Sequence, residues 1–200
     1  MLIEFLTWMA MMLAMMIPSV YPWVVSFSSL SKAGHVGSIK PTWVLLFILG
    51  YVAIWSGFSL TLMLSHLQLD TMLSRVSTSG KDFYSWASPW ILISVGLYQL
   101  TPIKNACLKH CRSPFHYFLT KWKNGPRGAL LMGISHGAFC LGCCWALMLA
   151  MFFLGLMNLV WMILFTLIVS VENLLPQGEF FAKFVGIGMT GWGITLILGS

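Results

Sequence analysis

The sequence predicts an all-α fold: a polytopic membrane helix bundle of about six transmembrane helices, forming a single integral membrane domain over residues 1–200. Two observations carry this, the composition and the spacing of the charges. Of 200 residues, 58% are hydrophobic and 8% are charged, against about 45–50% and about 25% in a soluble domain. Mean hydropathy is +0.86. Five acids and eleven bases cannot supply the polar shell of a water-soluble globule. A soluble enzyme, a disordered chain and a nucleic-acid module are therefore excluded. With an excess charge of +6, the partner that fits the apolar bulk is a lipid bilayer, and no nucleic acid is expected. The charges also cluster. Residues 5–31, 41–69, 83–103, 128–171 and 184–200 hold no Asp, Glu, Lys or Arg, and about 20 such residues cross a hydrocarbon core.

Taken in order, the first span is expected near residues 3–28. It carries Glu4 where a signal peptide would carry bases, and its apolar run is too long for one, so it is expected to stay in the protein. Pro18 falls mid-span, where neighbouring helices can satisfy the freed carbonyl. The second span is expected near 41–66 and the third near 85–106. Stretch 128–171 is twice as long as one span needs, so it is read as a hairpin of spans 129–153 and 156–175 turning at Gly155. The last span is expected near 180–199. Its Gly186-Ile187-Gly188-Met189-Thr190-Gly191 matches a dinucleotide fingerprint, which works only between a strand and a helix start. Inside an apolar span it reads as close helix packing through small residues.

The connections set the topology. Lys32 and Lys40 follow the first span and Arg75 and Lys81 the second. Lys104, Lys109, Arg112, Lys121, Lys123 and Arg127 follow the third, and Lys183 precedes the last. The positive-inside rule places loops 1–2, 3–4 and 5–6 in the cytoplasm and both termini outside. Trp23, Trp43, Trp86 and Trp161 are expected near headgroup level. Met12-Leu13-Ala14-Met15 recurs as Met148-Leu149-Ala150-Met151, which suggests two inverted three-helix halves with a site near the midplane.

The chemistry gathers in the fourth span, His136-Gly-Ala-Phe-Cys140-Leu-Gly-Cys143-Cys144-Trp145. Positions three and four apart share a helix face. His136, Cys140 and Cys144 are spaced by four, Cys143 follows Cys140 by three, and Met148 extends the stripe. Met12 and Met15 of the first span fall at comparable depth. Thiolate and thioether ligands select Cu(I). Zinc, which favours four closed Cys and His ligands, is the competitor. Single Met and Cys residues in such a chain are ordinarily packing; three Cys within five residues beside a His are less readily read so. A second group, Cys107, His110 and Cys111, shares a face at the end of the third span, beside Lys104, Lys109 and Arg112, which favour thiolates. Glu172, near the end of the fifth span, is expected to pair with the basic loop between spans 3 and 4.

At these residues the chain resembles a bacterial family of predicted metal-binding integral membrane proteins, a domain of unknown function sometimes labelled copper chaperone. Four segments carry the resemblance. The first is Trp8 to Met12 with Ala14, Met15, Met16 and Pro18. The second is Tyr98 to Pro102 with Lys104, Cys107, Cys111, Arg112 and Pro114. The third is Gly137 through Trp145 with Met148, Gly155, Met157, Asn158, Trp161 and Met162. The last is Glu172 with Pro176 and Gly178. Asn173 is a departure, since the family usually has Lys there. The resemblance implies metal binding in the bacterial inner (cytoplasmic) membrane. Together these readings favour Cu(I) handling or delivery, with a copper-receiving protein as partner. The alternatives are an accessory structural subunit of a larger membrane complex and a membrane thiol–disulfide oxidoreductase built on Cys140-Leu-Gly-Cys143.

Overall fold

A computed structural model describes residues 2–32, 41–75, 80–153, 159–175 and 177–199. Among them the chain is almost entirely helical, with no strand: α1 (Leu2–Lys32), α2 (Pro41–Arg75), α3 (Gly80–Gln99), α4 (Pro102–Cys111), α5 (Pro114–Thr120), α6 (Gly125–Phe153), α7 (Leu159–Leu174) and α8 (Gly178–Leu198). Four helices are long and apolar enough to cross a membrane, over Phe5–Ser29, Pro41–Leu69, Gly125–Met151 and Gly178–Leu198; Val160–Leu174 is apolar but shorter. The all-helical class is as expected, whereas the count of six spans is not reproduced among the described residues. The turn expected at Gly155 lies outside them.

The expected third span is interrupted after Gln99. Pro102 lacks an N–H and restricts the residue before it, which disfavours continuing the helix. The last turn of α3 tightens, with the Leu100 N–H donating to the Leu97 carbonyl and the Thr101 N–H to that of Tyr98, both at 3.0 Å. The Thr101 hydroxyl then accepts from the Lys104 N–H at 3.4 Å and opens α4. The region read as one basic loop is therefore largely helical, holding α4 and α5.

Contacts divide the chain into two compact units, residues 1–60 with 107–142 and residues 61–106 with 143–200. These units interleave along the chain, so they do not follow the two sequential three-helix halves that the Met-Leu-Ala-Met repeat suggested.

In the first unit the core is aromatic, with Trp23, Phe27, Phe47, Tyr117, Phe118, Ala129 and Met132 buried together. Phe27 stacks on Phe47 at 5.2 Å and meets Phe118 edge-on at 5.5 Å. Small residues bring α2 and α6 to backbone contact. A Cβ on Gly133 would overlap the Phe47 carbonyl, one on Gly50 the Leu130 carbonyl, and one on Gly137 would come 3.1 Å from the Ile54 Cβ. Trp23 corrects an expectation. It is fully buried, and its indole N–H donates to the Cys111 carbonyl at 2.7 Å, so it belongs to the core and not to a headgroup belt. Trp86, by contrast, is 69% exposed.

In the second unit α8 packs on α3 and α7. A Cβ on Gly186 would lie 2.8 Å from the Gly96 carbonyl oxygen, and one on Gly193 2.8 Å from that of Pro89. Gly186 thus has the packing role expected of the glycine-rich run, whereas Gly188 and Gly191 face open space.

Candidate metal centre

The centre is one turn of α6. The run from Ala138 to Met148 contains no proline and only Gly142 as a weak helix former, so the helix passes through it unbroken. The 3.6-residue period then brings Cys140, Cys143 and Cys144 to one side. All three are buried, and their sulfurs lie within 4.8 Å of one another. Among the described residues they are the group of three His, Cys, Asp or Glu side chains close enough to share an ion. The five cysteines form no disulfide.

Each side of the turn has a defined environment. In the first unit the Cys140 sulfur lies 3.4 Å from the Tyr51 hydroxyl and 3.9 Å from the Met16 thioether sulfur. In the second unit the Cys143 thiol points to the Asn173 side-chain carbonyl at 4.0 Å. Beside Asn173 on α7, Glu172 forms a buried ion pair with Lys104 at 2.7 Å and accepts from the Gln99 amide at 3.3 Å. The pairing of Glu172 with the segment after the third span is thus present, and its partner is Lys104. That residue was expected to mark the cytoplasmic loop. It is instead fully buried, because a carboxylate within reach offsets the cost of taking the ammonium out of water.

The other expected ligands are placed differently. His136 is fully buried one turn before Cys140, but its ring stacks on Trp23 at 3.9 Å, with Tyr51 at 5.4 Å and Phe47 at 6.2 Å. It stands outside the three-sulfur group. Met12, Met15 and Met148 are buried, Met148 one turn beyond Cys144. Among the described residues, Cys107, His110 and Cys111 are not a group whose ligand atoms lie within 4.8 Å of one another. Cys107 packs into the notch left by Gly142, where a Cβ would lie 3.0 Å from its sulfur. His110 stacks on Phe139 at 3.8 Å. Burial, with the Lys121 cation second, pushes the His110 imidazole down to about 4, so it is neutral at pH 7. Cys111 is buried and receives Trp23 through its backbone carbonyl.

Met16, Tyr51, Asn173 and Gln99 escaped the sequence reading of the site. Met16 had a usable signal, since it lies four residues after Met12 and shares its face. Tyr51 had none, because nothing in the sequence says which turn of α2 meets Cys140.

An all-helical chain with membrane-length helices and a buried three-thiol turn defines a class of helical proteins equipped for soft metal ions. The family can be stated more closely: the profile of the PpoB2 family, described as copper chaperone, matches residues 5–196, and the chain belongs to that family. No curated protein and no solved structure matches the chain.

Proposed function

We propose that the chain is an integral protein of the bacterial cytoplasmic membrane that binds Cu(I) as cargo on Cys140, Cys143 and Cys144 and delivers it to a copper-receiving protein. The observation that carries this reading is the buried turn with three sulfurs within 4.8 Å, in a chain of a copper-chaperone family. Thiolates are soft donors, and Cu(I) accepts the two or three ligands that one helical turn offers, whereas structural zinc asks for a closed set of four. Met148 extends the donor stripe, and Met12 and Met15 supply thioethers on α1. His136, held in its aromatic stack, serves to lock α6 against α1 and α2. Loops 1–2, 3–4 and 5–6 lie on the cytoplasmic side, both termini being outside, and Cys107, His110 and Cys111, which pack apart, take no part in holding the cargo. Dithiol exchange is the weaker alternative, since it needs an accessible thiolate and these thiols are at most 2% exposed.

The test is elemental analysis of protein purified anaerobically from copper-supplemented cells, with all three cysteines changed to Ser as comparison. Stoichiometric copper that disappears in the triple variant is the expected result. Copper unchanged in that variant, or no copper in either protein, would overturn the reading.

A further inference from the structure

The sequence pointed to Met12 and Met15 as thioethers of α1; the structure places a further one, Met16, against the thiol turn. Its sulfur lies 3.9 Å from the Cys140 sulfur, and both side chains are fully buried. Two sulfurs bound to one ion at about 2.3 Å lie about 3.8 Å apart at a tetrahedral angle and about 4.0 Å apart at a trigonal one. The observed separation falls between these two values, so an ion could settle between the pair with little movement of either helix. The charge balance points the same way. Each additional thiolate brings a negative charge into a low-dielectric interior, where unpaired charge is costly. A thioether donates a lone pair and brings no charge. It also discriminates, because thioether sulfur suits Cu(I), whereas zinc takes Cys, His and carboxylate ligands.

We propose that Met16 is a ligand of the copper site and the residue that makes it selective for Cu(I) over Zn(II). This rests on the thiol turn being the copper site, and it adds a donor from a second helix. Cargo binding would then pin α1 to α6 at the Met16–Cys140 contact. No electron transfer is involved: Cu(I) enters, thiol protons leave, and the Met16 lone pair fills a coordination position.

The experiment uses full-length protein in detergent, anaerobic, labelled with selenomethionine, as wild type, Met16→Leu and the triple Ser variant. Selenium-edge X-ray absorption is recorded with and without Cu(I). A copper scatterer next to selenium is expected in wild type and lost in Met16→Leu. Competition against a chromophoric Cu(I) chelator should give a loss of about tenfold or more in Met16→Leu, at least that of losing an outer-shell partner, with Zn(II) binding unchanged. Because Leu nearly matches Met in volume, the fold is expected to survive. If it does not, the same spectra of Met12→Leu, Met15→Leu and Met148→Leu decide: copper–selenium scattering kept in all three supports Met16, and scattering lost in any one of them overturns its role. Copper binding that depends on the cysteines but shows no copper–selenium scattering, or that Met16→Leu leaves unchanged, overturns the role of Met16 alone. An equal loss for Cu(I) and Zn(II) reduces Met16 to packing. Copper binding that survives in the triple Ser variant overturns the thiol site itself, and this inference with it.

Discussion

Replacing Glu172 with Leu should be among the most damaging single substitutions in this chain. Lys104 and Glu172 are 0% and 2% exposed and 2.7 Å apart. At that distance, and with an effective dielectric constant of about 20, their attraction is about 6 kcal/mol. Most of it offsets the cost of removing both charges from water. Taking away the carboxylate leaves a buried ammonium without its counter-charge, and such changes cost about 3–5 kcal/mol. The Gln99 amide, 3.3 Å from the same carboxylate, loses its acceptor as well. For a chain of this size the midpoint of thermal unfolding should fall by roughly 6 °C or more. Replacing both partners, Lys104→Met with Glu172→Leu, removes charge and counter-charge together and should recover most of the loss. The assay is thermal unfolding in detergent of wild type, both single variants and the double variant. Single variants as stable as wild type, or a double variant worse than either, would refute the claim that mutual neutralisation keeps Lys104 buried.

Further outcomes follow from the packing and from the surroundings of the thiols. Gly133→Val forces a side chain into the Phe47 carbonyl and should destabilise by at least about 1–3 kcal/mol; Gly188→Ala, which meets nothing within 4 Å, should be neutral or stabilising in the same unfolding assay. Tyr51→Phe removes the hydroxyl 3.4 Å from the Cys140 sulfur and should weaken Cu(I) binding by about tenfold in chelator competition, without changing the amount bound at saturation. Thr101→Ala removes the hydroxyl that accepts from the Lys104 N–H and should cost about 1 kcal/mol, read as a lower unfolding midpoint with copper stoichiometry retained.

Much of the helical character was legible in the sequence because it follows from local quantities: apolar run length, charge spacing and the 3.6-residue period. The clustering of Cys140, Cys143 and Cys144 was legible for the same reason, since one helix turn fixes it. What failed to read correctly depends on contacts between helices. Lys104 looks like a loop residue until Glu172 is seen beside it. Trp23 has the composition of an interface anchor until His136 stacks on it and the Cys111 carbonyl takes its N–H. His136 shares a face with the thiols by spacing, but side-chain direction turns its ring into the aromatic core. The break after Gln99 was encoded in Thr101-Pro102, and only the long apolar run around it made a continuous span the simpler reading.

Copper-edge X-ray absorption on protein purified anaerobically tests the central claim most directly. Cu(I) carried on the thiol turn requires an edge characteristic of the reduced ion and a first shell of sulfur at about 2.3 Å, both absent when Cys140, Cys143 and Cys144 are Ser. A first shell of nitrogen or oxygen, or a sulfur shell that persists in the triple variant, would contradict it.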